Sequence, residues 1–184
     1  MEKYQKIIEY SKENNELTKS SLKDGLIQLL KNNRFKDITV SKLCLKAGVS
    51  RMSFYRNYSI LDDIFKEIAI DLNVDIIKRS GSPFRNGTHI NWYINTFNRI
   101  VEIKDEYMLL SQHEFQEEWM RVVNNLAIKK ETPNKEKYYQ RLMWCGGFEN
   151  VCSNWINNGM QESVEEISEY CLKYLPHLLK REDK

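Results

Sequence analysis

Arg51, Met52, Ser53, Tyr55, Arg56 and Tyr58 crowd into eight consecutive positions of this chain. Two guanidinium groups, a hydroxyl and two phenols in so short a span form a donor set suited to base edges and phosphate oxygens. The major groove of B-DNA admits one α-helix, and its edges distinguish base pairs by donors, acceptors and the thymine methyl group. Arg51 and Ser53 suit base reading, and Met52 adds an apolar contact beside them. Tyr55, Arg56 and Tyr58, further along, suit the phosphates met where a helix leaves the groove; such contacts position a protein on DNA without specifying sequence.

A scaffold that presents these residues is legible around them. The run ITVSKLCLKAGVSRMSFYRNY, Ile38 to Tyr58, reads as two short helices joined by a tight turn. Thr39 can cap the first helix with its hydroxyl, after which Val40, Leu43, Cys44 and Ala47 recur at helical spacing. Gly48 supplies the turn, Val49 plugs the angle between the helices, and Ser50 stands where the second helix starts, able to accept from the backbone of Ser53 or its neighbour. The pattern predicts a helix-turn-helix with its second helix turned outward. The plain alternative is two packed helices with solvated arginines. Charge distribution argues against it: residues 1–58 hold twelve Lys/Arg against six Asp/Glu, whereas residues 59–184 hold sixteen against twenty. The basic excess lies where DNA would lie.

The segment from about Thr18 to Phe65 resembles the DNA-binding domain of TetR-family transcriptional regulators. The resemblance rests on the amphipathic first helix with Leu22, Leu26, Leu29 and Leu30, on RFKDIT at Arg34 to Thr39, on AGVS at Ala47 to Ser50, and on FYRNY at Phe54 to Tyr58. It implies a three-helix DNA-binding domain over residues 1–65 and a helical regulatory and dimerisation domain over 66–184. The expected DNA-contacting set is Thr39, Ser50, Arg51, Met52, Ser53, Tyr55, Arg56 and Tyr58. One position departs from the family: where many members carry a phosphate-reaching lysine at the start of the fourth helix, SILDD places Leu61. Asp62 and Asp63 read instead as carboxylates favoured by the helix dipole.

Composition bounds the rest. A chain of 184 residues and 22.0 kDa can bury a real core and hold one small DNA-binding domain plus a second helical one. With 7 Gly and 3 Pro, and Leu, Ile, Lys and Glu between them, the fold expected is all-α, of about nine helices. The N-terminus is charged from its second residue and no apolar run approaches membrane-spanning length, so a cytoplasmic protein without membrane contact is expected. Four cysteines without CxxC spacing fit that compartment as reduced, mostly buried thiols.

Beyond Tyr58, residues Ser59 to Arg79 predict one helix, with Ile60, Ile64, Ile68 and Leu72 on a face, linking the DNA-binding helices to the second domain. SGSPFRNGT at Ser80 to Thr88 predicts a loop. Ile90 to Val101 predicts a helix, Tyr107 to Ile128 a short and a longer one ended by ETPN at Glu131 to Asn134. Lys135 to Asn158 is apolar on more than one side, and Ser163 with Glu166 makes a capping box for a last helix that Pro176 bends or ends. Gly146 and Gly147 inside the Lys135 helix cost about 1 kcal/mol each against alanine, which suits a close helix neighbour from the same chain or another.

The segment Gly146 to Ile167 is similar to the C-terminal end of one group of TetR-like regulators, whose last two helices pair with their copies in a second subunit. This implies a homodimer. Gly146 or Gly147 would permit close approach, and Phe148, Cys152, Trp155 and Tyr170 would lie near the centre. The same segment is similar to regulators linked to dihydroxyacetone kinase operons, some of which activate through a protein partner. The family also implies an effector pocket between the central helices, for which Tyr93, Phe97, Met108, Phe115, Trp119, Met120, Trp144 and Phe148, with Trp92 and Met143, are the candidate lining; ordinary core packing accounts for such residues equally well.

For catalysis the sequence offers no Gly-rich phosphate loop, no GxSxG elbow and no HExxH, and His89, His113 and His177 are scattered. His113 and Glu117, four apart, lack a third ligand nearby, so neither a metal nor another cofactor is expected. Cys145 and Cys152, seven apart, would share a stripe as an oxidation sensor, but buried packing explains them. The function expected is a non-enzymatic regulator, chiefly a repressor, which binds palindromic double-stranded DNA as a homodimer and is released by an unidentified small molecule. The alternative is a helical interaction or co-activator protein of the same fold that no longer binds DNA or responds to a ligand.

Overall fold

A computed structural model describes residues 2–86, 89–111, 115–128 and 135–178. All regular structure among them is helical, and the chain divides into two compact units, Met1–Ile68 and Ala69–Lys184.

The first unit holds α1 (Glu2–Leu30), a 3-10 turn at Phe35–Asp37, α2 (Val40–Ala47), α3 (Arg51–Asn57) and the start of α4 (Leu61–Ser80). Leu22, Leu26 and Leu30 recur at helical spacing on α1 and are buried with Ile38, Leu43, Cys44, Phe54, Tyr58, Ile64 and Phe65. Full burial of a side chain such as Phe54 stabilises the unit by about 1.5–3 kcal/mol. Gly25 lets α1 and α2 approach closely: a Cβ there would stand 3.2 Å from both Ala47 Cβ and Leu43 Cδ1. Helix α4 is capped by Asp63, whose Oδ2 accepts from the backbone of Ser59 at 3.0 Å and Ile60 at 3.1 Å. Ile60, expected on the buried face of this helix, precedes it and is exposed.

The second unit holds the remainder of α4, a short turn of helix α5 (Pro83–Asn86) inside the expected loop, α6 (Ile90–Glu102), α7 (Lys104–Ser111), α8 (Gln116–Ala127), α9 (Lys135–Asn157), α10 (Val164–Tyr174) and a 3-10 turn at Leu175–Leu178. Helix α6 packs on α10, while α9 packs on α7, α8 and the last turn. Tyr93, Phe97, Ile100, Tyr107, Leu110, Trp119 and Cys152 form the driest part of the core. Phe97 meets Trp155 edge-on at 5.2 Å between ring centres, and Tyr107 meets Trp119 at 5.1 Å. Outside the core, Arg99 of α6 ties Asp75 of α4, and Arg99 also reaches Glu102.

Helix ends obey their sequence signals. Gly159 adopts φ 80°, with Met160 N–H donating to Trp155 C=O and Gly159 N–H to Ile156 C=O, a Schellman closure of α9. Ser163 and Glu166 exchange both bonds of the capping box, and α10 stops before Pro176. Glu131–Asn134 and His113 lie outside the described residues.

Candidate nucleic-acid interface and interior cavity

Outward presentation of α3 results from two local devices. Gly48 ends α2 at φ 68°, and the bonds Val49 N–H to Cys44 C=O and Gly48 N–H to Leu45 C=O close a Schellman turn that a Cβ-bearing residue would strain. Ser50 then caps α3, its Oγ accepting from Ser53 N–H at 3.0 Å and lying 2.9 Å from Ser53 Oγ. Thr39 caps α2 likewise, accepting from Lys42 N–H at 3.2 Å. The capping residues therefore spend their side chains on the backbone, and Ser53 shares its hydroxyl with Ser50.

Phe54 is the inward anchor of α3, fully buried. With Phe54 inside, Arg51, Met52, Tyr55 and Arg56 point outward: Met52 is 68% exposed and Tyr55 61%, and both arginines are exposed. An exposed apolar Met, a phenol and two guanidinium groups on one short helix form a mixed surface able to donate hydrogen bonds and to touch a methyl group.

Tyr58 does not join them. It is only 5% exposed, its ring is packed against Phe54, and Lys19 Nζ lies 5.5 Å from its centre. Burial pushes the Glu67 carboxyl up, but hydrogen bonds from Lys23, Tyr58 and Lys19 outweigh it and hold that carboxyl below its ordinary value. The Tyr58 hydroxyl is thus buried inside the unit and is not presented to a phosphate. The signal for this was the spacing Phe54 to Tyr58, one helical turn along the buried stripe.

Within the second unit lies a cavity of about 540 Å³, a volume suited to a small organic molecule. Of the expected lining, Trp144 and Phe148 face it, together with Trp92. Tyr93, Phe97 and Trp119 are instead buried in the surrounding core, as is Phe115, so they support the walls. Met143 is exposed on the outside of α9, and Met108 and Met120 are half-buried away from the lining. Ile76 and Ile77 of α4, Arg85 of α5, Thr96 of α6, Tyr107 of α7, Val123 and Leu126 of α8, and Arg141 and Glu149 of α9 also line it; none of these was singled out as lining from the sequence alone.

Glu149 is the chemically distinctive member. Its Oε1 accepts from Tyr107 Oη at 2.5 Å, from Trp119 Nε1 at 2.6 Å and from Ser153 Oγ at 3.4 Å. Burial pushes its carboxyl above the ordinary value, and the three hydrogen bonds offset only part of that effect. Arg141, eight residues earlier on the same helix, lies over the Phe84 ring at 4.8 Å. The thiols nearby are unreactive in character: burial pushes Cys145 and Cys171 up to about 12 and Cys152 well above its ordinary value.

On α9 and α10 the expected dimer residues separate. Cys152 is fully buried and Trp155 nearly so by their own chain, Trp155 donating its indole N–H to Glu162 C=O at 3.0 Å; both belong to the core. Phe148 stacks on Trp144 at 5.0 Å inside the cavity. Tyr170 is exposed, as are Tyr139, Met143 and Tyr174. A Cβ on Gly147 would meet Leu175 Cδ2 at 3.3 Å, whereas one on Gly146 would meet nothing within 4 Å.

Among known sequences, the family described as a family of unknown function (DUF6262) matches residues 3–117. The chain belongs to that family. No curated protein matches the DUF6262 chain. Its fold is that of solved TetR-family regulators. A TetR transcriptional regulator from Streptococcus agalactiae 2603V is 18% identical, with a TM-score of 0.65 over 91% of this chain and 98% of its own. The fatty acid degradation regulator FadR from Bacillus halodurans is 13% identical, with a TM-score of 0.57 over 91% and 97%. The dihydroxyacetone kinase operon activator DhaS is 14% identical, with a TM-score of 0.53 over 89% and 96%. Among the described residues of the DUF6262 chain, no helix is long and apolar enough to cross a membrane, and no group of three His, Cys, Asp or Glu is placed to hold a metal ion.

Proposed function

We propose that this chain is a transcriptional regulator of the cytoplasm that binds a two-fold symmetric duplex as a homodimer, represses transcription there, and is released when a small molecule fills the cavity of the second unit. It acts by binding and not by turnover. The DNA-binding part is the N-terminal domain, residues 1–65, and residues 66–184 carry the effector and the dimer contact.

The observation that carries this reading is the outward face of α3, where Arg51, Met52, Tyr55 and Arg56 stand exposed on a helix whose start is fixed by Ser50 and the Gly48 turn. Arg51 supplies base contact; Arg56 and Tyr55 supply phosphate contact. Homodimerisation is supported by Tyr139 and Met143 on α9 and Tyr170 and Tyr174 on α10, four large side chains that their own chain leaves exposed. The similar solved structures include an operon activator, so a reporter assay is needed to read the sign directly.

The test is a map of bound chromosomal sites, then titration of the recovered duplex at rising salt. Affinity falls steeply with salt for a phosphate-bound protein, and a scrambled duplex of equal length binds more weakly. Absence of duplex binding at low salt removes the proposal and leaves the interaction-protein alternative.

A further inference from the structure

We propose that the cavity of the second unit takes a small organic cation, whose ammonium or amidinium group meets the free oxygen of Glu149 while its apolar body lies against Trp92, Trp144 and Phe148. This names the ligand class of the effector site and rests on the reading of that cavity as such a site.

The argument begins with what Glu149 lacks. All three donors that reach it, from Tyr107, Trp119 and Ser153, are neutral and converge on Oε1. Among the described residues Oε2 accepts no hydrogen bond and no cation pairs with the carboxylate. Arg141 lies eight residues away, about 12 Å along a helix axis, and is turned onto Phe84. A half-buried carboxylate without a counter-charge is disfavoured, and a matching cation recovers part of that cost. The donors from α7 and α8 also fix the carboxyl group, so a ligand meets a preset acceptor and not a mobile one.

The aromatic part of the wall suits the same charge. Trp144 and Phe148 stack nearly parallel, with an interplanar angle of 15°, and Trp92 lies 5.5 Å and 5.4 Å from their centres. Aromatic faces attract cations, more strongly in a desolvated site. Thr96 also lines the cavity, and its buried Oγ1 has no hydrogen-bond partner among the described residues. An acid would face Glu149 as a like charge and would have to gain instead at Arg85 or Arg141, which also line the cavity.

Three probes of one shape test the charge: phenylbutylamine, phenylbutanol and phenylbutyrate, titrated into the full-length protein at neutral pH and monitored by tryptophan fluorescence and calorimetry. The amine is expected to bind about ten-fold more tightly than the alcohol, with the acid weakest. Glu149→Gln should bring amine and alcohol within about two-fold of one another, chiefly by weakening the amine. Equal binding of amine and alcohol by the unaltered protein, tightest binding of the acid, or silence of all three probes overturns the proposal, and none of these comparisons needs a variant that folds. Duplex binding is measured on the same sample without probe: if it persists while charge preference is absent, the regulator reading stands and the cation is wrong.

Discussion

The indole N–H of Trp119 donates to Glu149 Oε1 at 2.6 Å, joining α8 to α9 across thirty residues of sequence. With the Tyr107 hydroxyl at 2.5 Å on the same oxygen, it anchors a carboxylate at the wall of a cavity otherwise lined largely by rings and aliphatic side chains. Each of the three side chains is ordinary in the sequence. Their meeting depends on three helices packing in register, and it gives the second unit a chemical handle.

That handle has a pH signature. Burial raises the Glu149 carboxyl above the ordinary glutamate value of 4.5. Between that value and the raised one, the folded chain keeps a proton that the unfolded chain has lost, so this residue's contribution to stability falls as pH rises through the window. Glu149→Gln keeps an acceptor oxygen for Tyr107 and Trp119 and removes the titration. Thermal midpoints of the two proteins should therefore be closest near pH 4.5 and should separate in the variant's favour toward about pH 7. A gap that stays constant over this range contradicts the assignment.

Arg51 and Arg56 stand on the same exposed helix and should fail differently. Arg51→Ala should cost about 1–3 kcal/mol on the preferred site and relax base preference there, while Arg56→Ala should weaken all duplexes alike and lower the salt slope by about one. Titration of each variant against matched and scrambled duplexes at several salt concentrations separates the two. Unchanged preference in Arg51→Ala would move base reading elsewhere.

Tyr58 gives the converse result. Its ring is core, so Tyr58→Ala should destabilise by about 3–5 kcal/mol. Tyr58→Phe removes only a buried hydroxyl and keeps the ring, a change of about 0.5–1.5 kcal/mol or less, and should bind duplex DNA as the unaltered protein does. A folded Tyr58→Phe protein with strongly reduced duplex affinity would return this phenol to the interface.

Much of the first unit was legible because its signals are local. Thr39, Gly48, Ser50 and the Phe54 stripe each act within four residues, and a helix-turn-helix is the sum of such short-range devices. Tyr58 was misread because it closes a run of exposed residues while its own helical phase points inward. The second unit was legible only as helices. Its cavity depends on which faces of α4, α6, α7 and α9 converge, a long-range outcome that apolar periodicity does not encode. Aromatic residues drew attention there, yet Glu149, Thr96, Arg85 and Arg141 are also among the groups at its wall.

Gly25 was another silent position. A Cβ there would press on Ala47 and Leu43, and Ala47 Cβ cannot rotate away. Gly25→Ala gains about 1 kcal/mol of helix propensity, but overpacking costs about 1–3 kcal/mol, and the strain falls on α2, which supports the exposed helix α3. Net destabilisation of about 1 kcal/mol is expected in urea unfolding, with duplex affinity reduced as α2 shifts. A raised unfolding midpoint would mean that the two helices have room to part.

Gly146 separates the dimer from the fold. A Cβ at this position would meet nothing within 4 Å, so Gly146→Leu should leave the subunit folded and gain about 0.8–1 kcal/mol of helix propensity. It stands on α9 one turn from exposed Met143, however, where a second α9 would have to approach. A subunit contact built on that stripe loses its close approach to a leucine, and Met143→Glu would add a desolvated charge at the same place without touching the core. Sedimentation should find the unaltered protein at twice the 22.0 kDa subunit mass and both variants shifted toward the single subunit, with helical content preserved. If the unaltered chain sediments as a single subunit at micromolar concentration, the exposed stripe has another use and the two-fold symmetric site loses its basis. If both variants remain dimeric, the contact lies on another face of the second unit.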